Sequence, residues 1–261
     1  MTAPYYSDGL VTLYHGDCLS VMSEWLSEYA EPDFGQIVVT SPPYNMGLVP
    51  GGNGRGMYRP GASNKAARFR NGYSVADDDA LAQHDYNQLR REELGLMWDL
   101  LPDDGAIFYN HRPRVEHGVL RDPLNNDFGI PLRQRIIWNR LTGIDVNLRA
   151  FCTRGEYVLF FAKPDLKLAS HAASGMGDVW DLGMDHQVDW HPAPFPVGLP
   201  ARCIEATAAR SVLDPFAGSG STLVAASLAG IPSVGIEKHE PFCEGIARRL
   251  DQGVLDFGEA S

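Results

Sequence analysis

Ser211-Val212-Leu213-Asp214-Pro215-Phe216-Ala217-Gly218-Ser219-Gly220-Ser221-Thr222 decides the fold of this chain. Val212 and Leu213 form a short apolar strand with Asp214 at its tip. The Gly-x-Gly turn then opens a helix that runs through Leu223, Val224, Ala226 and Leu228 and stops at Gly230. A further strand, Ser233 to Ile236, ends in Glu237. Strand, glycine loop, helix, strand and acid follow at nearly the spacing of a dinucleotide fold, in which an acid roughly 20 residues on binds ribose hydroxyls. Both carboxylates then stand at carboxyl ends of parallel strands, where open α/β sheets bind ligands.

The loop departs from Gly-x-Gly-x-x-Gly, because Leu223 occupies the place of the third glycine, and no basic residue lies between Asp214 and Glu237. A pyrophosphate there would meet Asp214 at its entrance, which is electrostatically poor. A ligand with a ribose and a cationic or zwitterionic end fits better, and S-adenosyl-L-methionine has that description. In this reading Asp214 faces the ammonium, loop N–H groups face the carboxylate and Glu237 faces the ribose diol. The cofactor-binding set expected from this half of the chain is Asp214, Phe216, Ala217, Gly218, Ser219, Gly220, Thr222, Glu237 and Lys238.

A second stretch, Val38-Val39-Thr40-Ser41-Pro42-Pro43-Tyr44-Asn45, ends an apolar strand in a hydroxyl, two prolines and an aromatic ring. The prolines fix φ and remove two N–H donors, which leaves the carbonyls of Ser41 and Pro42 as acceptors. Clustered acceptors beside the flat face of Tyr44 suit a planar group bearing an NH2, such as the exocyclic amine of a nucleobase. A strand that simply ends in a Pro-Pro turn, with Tyr44 packed as core, is the plain alternative.

The remaining elements fit an α/β order. Leu10 to His15 alternates as a strand, Gly16-Asp17 ends it, and Leu19, Met22, Trp25, Leu26 and Tyr29 recur at helical spacing. Asp17 at that junction is either an N-cap or a ligand contact. Gln36 to Thr40 is a strand buried on both faces. Leu89, Leu94, Met97, Leu100 and Leu101 mark a helix that ends at the turn Pro102-Asp103-Asp104-Gly105. Ala106 to Asn110, Arg133 to Asn139 and Glu156 to Ala162 are further strands. After the strand ending at Thr40, residues 46–75 carry seven glycines up to Tyr73 and read as a long mobile loop, either a flap over the mouth at Tyr44 or a surface excursion. Residues 165–189 are polar and Gly-rich, too few for a domain of their own, and form a short recognition insert at most. Trp190 to Pro196 is stiffened by proline, and such a segment either lines a ligand or packs.

The chain has 261 residues, 44% of them hydrophobic and 21% charged, enough for one globular domain spanning residues 1–261. No apolar run is long enough to cross a membrane, and the amino-terminal residues lack a basic region followed by an apolar one. Cys18, Cys152, Cys203 and Cys243 stand far apart without a Cys-x-x-Cys pair, which speaks for buried free thiols, a reducing cytoplasmic setting and no metal. The net charge of −11 disfavours long-range steering toward DNA, yet Arg55, Arg59, Lys65, Arg68 and Arg70 fall in one stretch free of acids. That basic stretch is the expected contact with phosphates. Arg133, Arg135, Arg140, Arg149 and Arg154 either contact DNA or, as scattered arginines usually do, form solvated surface.

Together, Asp-Pro-Phe-Ala-Gly-Ser-Gly-Ser-Thr at 214–222 and Thr-Ser-Pro-Pro-Tyr-Asn at 40–45 resemble the amino-methyltransferases of DNA that act on cytosine N4 or adenine N6. Having the catalytic motif before the cofactor motif resembles the circularly permuted beta group of that family, over roughly Leu10 to Leu250. The resemblance implies a Rossmann-like, seven-stranded, mostly parallel sheet, S-adenosyl-L-methionine as cofactor and DNA as partner. It implies that Ser41, Pro42, Pro43 and Tyr44 are catalytic. Asp17 and Cys18 would match the turn that contacts adenine, Thr40 and Phe195 would border the cofactor, and Glu237 would bind its ribose. Serine at position 41 is typical of the cytosine N4 enzymes in that family, with adenine N6 as the alternative. An RNA or protein-amide methyltransferase, a nicotinamide-dependent dehydrogenase and a non-catalytic DNA-binding module are the competing readings. Sequence recognition would be short, relaxed or shared across a homodimer. The sharpest structural expectation is that the strands ending at Thr40 and Asp214 are parallel neighbours.

Overall fold

The computed structural model describes residues 3–29, 34–45, 81–116, 118–143, 151–184, 188, 190–191 and 194–256. Two short strands, β1 (Tyr6–Ser7) and β2 (Val11–His15), lead into α1 (Cys18–Glu28) and then β3 (Ile37–Thr40). Helix α2 (Gln83–Leu100) precedes β4 (Ala106–His111), a hairpin of β5 (Arg114–Glu116) and β6 (Val119–Arg121), and the long strands β7 (Leu132–Asn139) and β8 (Gly155–Ala162). The chain then forms α3 (His171–Gly175), β9 (Val179–Asp181), α4 (Gly198–Thr207), β10 (Val212–Asp214), α5 (Ser221–Leu228), β11 (Ser233–Glu237) and α6 (Glu240–Asp256).

Among the described residues one sheet has the order β1-β2-β11-β10-β3-β4-β8-β7-β9. The five strands from β2 to β4 in that order are mutually parallel, and β8 runs against both β4 and β7. The C-terminal β10–α5–β11 unit is therefore inserted between β2 and β3, strands that one helix joins in sequence. That insertion brings Asp214 beside Thr40: Val212 pairs with Ile37 and Leu213 with Val38, in parallel, as the sequence led us to expect. The expected count of seven strands is short by two, because β1 and β9 extend the two edges. Both are too short and too exposed for their patterns to stand out. Part of the stretch expected as a recognition insert is thus an edge strand of the main sheet.

The side-chain period of two along a strand explains the layers. Ile37, Val39, Phe108, Phe160 and Val212 face α4 and α5 on one side, where Leu199, Cys203, Ala225 and Ala226 cover them. Val38, Ile107, Tyr109, Phe161 and Leu213 face the other way, onto Met22 and Trp25 of α1 and Leu94 and Met97 of α2. Strands covered on both faces read as continuous apolar runs, which is why β3 and β4 were legible. Cys18, Cys203 and Cys243 are buried free thiols, and Cys152 is half-buried. Among the described residues no helix is long and apolar enough to cross a membrane.

Candidate active site

Every functional candidate that the structure describes lies at or near one edge of the sheet, where β2, β3, β4, β10 and β11 end and the antiparallel β8 begins. The floor of the site is the tie between the two motifs. Thr40 Oγ1 donates to Asp214 Oδ1 at 2.7 Å, and the Phe216 N–H reaches the same oxygen at 3.1 Å. Thr222 Oγ1 donates to the Val39 carbonyl at 3.1 Å, so the first turn of α5 is fastened to β3 as well. Asp214 is fully buried, and its second oxygen, Oδ2, has no hydrogen-bond partner. Burial raises its pKa from the usual 3.8 to about 6, against the opposing pull of the Thr40 and Thr222 hydroxyls and the Phe216 N–H.

This displacement has a sign that can be tested. The folded state holds the Asp214 proton up to about pH 6, whereas the unfolded chain releases it near 3.8. Stability is therefore lost as pH rises between those values, by about 3 kcal/mol for this group. Asp214→Asn has no such ionisation. Urea denaturation without cofactor is expected to show the native protein losing stability relative to D214N from pH 4 to 7, and a difference that is flat with pH would refute the assignment.

The loop above Asp214 follows from its glycines. Gly218 (φ 53°) and Gly220 (φ 76°) both adopt the left-handed region. A Cβ on Gly218 would lie 3.0 Å from His191 Nε2, so a larger residue is strained in the backbone and must displace the His191 ring. Burial pushes His191 down to about 3, which keeps it neutral beside the loop. The Gly218 N–H donates to Glu237 Oε2 (2.8 Å) and the His239 N–H to Oε1 (2.8 Å), so the loop and the acid at the tip of β11 form one unit. Phe195 is buried and accepts from Ser221 Oγ at 2.8 Å through its carbonyl. Arg249 of α6 donates to the Ser219 carbonyl at 2.8 Å and to Ser221 Oγ at 3.3 Å, a basic group at the loop that motif spacing did not foresee.

Parallel pairing of Glu237 with His15 places the Gly16-Asp17 turn beside the acid, and the Gly16 N–H donates to the Glu237 carbonyl at 2.9 Å. Asp17 caps α1 through the Ser20 N–H (3.2 Å) and lies 3.9 Å from Lys238 Nζ. Its capping function is therefore explicit, and Lys238 is its ionic neighbour. Cys18 is buried with its thiol toward Glu93 Oε1 of α2 (3.8 Å), away from the turn.

The mouth at Ser41 is a hydroxyl network. Tyr44 Oη lies 2.6 Å from Asn110 Oδ1, 2.8 Å from Ser41 Oγ and 3.4 Å from Glu156 Oε2. Glu156 is buried and paired with Arg140 at 3.1 Å. The Tyr44 ring stacks on His111 with centroids 5.0 Å apart, and burial pushes the phenol pKa well up and that of His111 down to about 4. Pro42 is buried. The Pro43 carbonyl accepts from Tyr86 Oη at 2.8 Å, and Arg114 donates to the Tyr44 carbonyl at 2.8 Å, so the Pro-Pro turn is held from α2 and from the hairpin.

The N6/N4 methyltransferase family model, described as DNA methylase, matches residues 36–249. The chain belongs to this family. Type II methyltransferase M2.DpnII of Streptococcus pneumoniae is 24% identical to it over 271 residues, covering 96% of this chain and 93% of that protein. M.ScaI of Streptomyces caespitosus is 24% identical over 297 residues, covering 95% and 84%. Among solved structures, PvuII DNA methyltransferase (cytosine-N4-specific) has a TM-score of 0.69 at 18% identity and covers 97% of this chain and 93% of its own. TTHA0409 of Thermus thermophilus, complexed with S-adenosyl-L-methionine, has a TM-score of 0.61 at 21% identity and covers 93% of each chain.

In this DNA methylase, then, the structure brings Thr40, Ser41, Pro42, Pro43 and Tyr44 together with Asp214, Phe216 to Gly220 and Thr222. Asp17, Glu237 and Lys238 gather beside them. One expected detail differs: the Asp214 carboxylate is covered by Thr40 and the loop and has no exposed surface for an ammonium. The reason is the depth of the strand tip, which puts both threonine hydroxyls against it. Arg55, Arg59, Lys65, Arg68 and Arg70, with the rest of the expected flap up to residue 75, lie outside the described residues, as does Arg149. Of the scattered arginines, Arg133, Arg135 and Arg154 are exposed as read, Arg133 also donating to the Leu166 and Lys163 carbonyls and Arg154 to the Leu141 carbonyl, whereas Arg140 is half-buried and held by the Thr153 carbonyl and Glu156. Sequence reasoning missed Asn110, His111, Glu156 and Tyr86. The available signal was Asn110-His111 closing an otherwise apolar strand, the same pattern that marked Ser41 and Asp214.

Proposed function

We propose that this methylase transfers a methyl group from S-adenosyl-L-methionine to the exocyclic amino group of a base flipped out of duplex DNA, with cytosine N4 as the target. The observation that carries the reading is the acceptor cluster of Ser41, Asn110 and Tyr44 on the strand end next to the Asp214 loop. The residues present suit the cofactor: Glu237 stands as a carboxylate at the tip of β11 against the glycine loop, the Gly218 loop supplies positive-φ backbone at close range, and the buried Asp214 places negative charge under the loop. When bound, the cofactor supplies an electrophilic sulfonium methyl group.

The chain's own residues do the rest. An exocyclic amine is a poor nucleophile because its lone pair is delocalised into the ring. Ser41 Oγ and the Pro42 carbonyl each accept one N–H, which draws the nitrogen toward a tetrahedral shape and frees the lone pair. Holding amine and methyl donor in line can supply about 7–11 kcal/mol of the barrier. Tyr44, backed by His111, is the stacking surface for the base, worth about 1–3 kcal/mol. Such stacking offsets the few kcal/mol that flipping costs. No strong base is required, since the nitrogen sheds its proton readily once methylated.

Serine at position 41, as in the cytosine N4 members of the family, favours cytosine, and a fold shared with a cytosine-N4-specific enzyme agrees with it. Mass spectrometry of nucleosides from unmethylated DNA incubated with the protein and labelled cofactor is the test. N4-methylcytosine is expected. N6-methyladenine alone replaces cytosine by adenine as the target, and label in RNA but not DNA rejects the DNA reading.

A further inference from the structure

A serine hydroxyl both donates and accepts, so its use as an acceptor for an amine requires that its own proton be directed elsewhere. The network around Ser41 settles where. Asn110 Nδ2 donates to the Tyr157 carbonyl at 3.0 Å, which fixes the side-chain amide and turns Oδ1, an acceptor only, toward Tyr44 and Ser41. Asn110 is 2% exposed and has no freedom to flip without losing that bond.

Tyr44 has one hydroxyl proton and three oxygens within reach. Two oxygens 2.6 Å apart with no proton between them repel, so the Tyr44 proton belongs on the short contact to Asn110 Oδ1. The 2.8 Å contact between Ser41 Oγ and Tyr44 Oη then needs a proton from Ser41. The reverse arrangement places the Ser41 proton on Asn110 at 3.3 Å and leaves the shortest contact unprotonated. The chain therefore runs Ser41 to Tyr44 to Asn110, and both lone pairs of Ser41 Oγ are left to receive N–H donors.

We propose that Asn110 is a positioning residue that sets the direction of the Ser41–Tyr44 hydroxyl chain, so that Ser41 meets the substrate base as an acceptor only. This rests on the methyl-transfer reading above and deepens it. A base with an amino group at the reacting position satisfies Ser41. A base with a carbonyl oxygen there, as in thymine or guanine, meets an acceptor with an acceptor. The same amide thus supports both nucleophile activation and the choice of amino over oxo bases. Because Asn110 is a neutral amide, Ser41 has no carboxylate to pass a proton to through this side chain; the carboxylate of the network, Glu156 Oε2, lies 3.4 Å from Tyr44 Oη, a longer contact than the 2.6 Å to Asn110 Oδ1.

Two variants test this, scored on methyl label incorporated into DNA in single turnover, whichever base receives it. An error in the target base therefore leaves the test intact. Asn110→Leu removes the acceptor. It is expected to lower the single-turnover rate about ten- to hundredfold, the value of one or two aligned hydrogen bonds, with the calorimetric Kd for S-adenosyl-L-methionine unchanged. Asn110→Asp restores an acceptor-only group once ionised, whereas its protonated form donates to Tyr44 and turns that proton onto Ser41. Its rate is expected to climb with pH toward the native value, through an ionisation that the native protein lacks. A native rate in N110L, a loss of cofactor affinity in step with rate, or an N110D rate that is flat with pH would each overturn the proposal. If N110L fails to fold, the N110D profile decides alone.

Discussion

Ser41→Ala is expected to lower the single-turnover rate of methyl transfer by about a hundredfold to a thousandfold, the range found when one aligned polar group is removed from a site of developing charge. Affinity for S-adenosyl-L-methionine is expected to stay within about twofold, well under the 1.4 kcal/mol that a tenfold change represents. The separation follows from the alternation of side chains around the strand end. Thr40 turns toward Asp214, at 2.7 Å, and belongs to the cofactor side. Ser41, the next residue, turns toward Tyr44 and Asn110. Losing Oγ leaves Tyr44 donating to Asn110 at 2.6 Å, so the network keeps its shortest bond and the turn keeps its tie from Tyr86 to the Pro43 carbonyl. Stability should change by less than about 1 kcal/mol, as for removal of one half-exposed hydroxyl. What disappears is the acceptor aimed at the amine. Rapid-quench measurement with labelled cofactor and calorimetry on the same preparation separate the two quantities. A near-native rate would remove Ser41 from the chemistry.

The two halves of this site were legible because each is encoded locally. An apolar run that breaks into Ser-Pro-Pro-Tyr, and another that breaks into Asp-Pro-Phe and two glycines, announce strand ends from their own residues. Joining the two motifs in one site then implied that the strands ending at Thr40 and Asp214 are parallel neighbours, as they are. Glu156 could not be placed that way. It lies at the start of β8, and only the antiparallel direction of that strand puts its amino end at the same edge as the carboxyl ends of β3, β4 and β10. Asn110 reaches Ser41 because Tyr109 pairs with Thr40, a register that no single segment states. Tyr86 and Arg114 come from a helix and a hairpin whose patterns say nothing about the turn they hold. Asp214 shows the opposite error. Its role at a strand tip was apparent, but the depth of that tip depends on β3 lying alongside, and that covers the carboxylate that sequence reasoning left facing a ligand.

That burial makes Asp214→Ala the more disruptive change at the cofactor site. The native carboxylate receives the Thr40 hydroxyl and the Phe216 N–H on one oxygen, and the Thr222 hydroxyl is a further favourable neighbour. Alanine strips the Thr40 hydroxyl and the Phe216 N–H of their acceptor in a fully buried place. Each orphaned group costs about 1–3 kcal/mol, although hydroxyls that rotate to other acceptors recover part of it. Against this stands the removal of a carboxylate whose pKa is raised to about 6, a relief of about 3 kcal/mol at neutral pH. The two nearly cancel in global stability, so the thermal midpoint is a poor reporter. They do not cancel locally, because the bond from Asp214 to Phe216 N orients the first turn of the loop whose Gly218 N–H meets Glu237. In the proposed site, cofactor binding needs that loop ordered and negatively charged beneath. S-adenosyl-L-methionine affinity is therefore expected to fall about a hundredfold or more in D214A, equivalent to about 3 kcal/mol, the upper end for hydrogen bonds to a charged group. In D214N, which keeps an oxygen for Thr40 and Phe216 but not the charge, the loss should be smaller. Calorimetry on the three proteins at pH 7.5, a pH at which the native group is ionised, gives the order directly. Equal affinity in D214A and the native protein would mean that the Asp214 tie holds the strands alone and that the cofactor is bound without it. Equal affinities for D214A and D214N, both weak, would instead assign the effect to the charge, and the loop geometry would carry none of it.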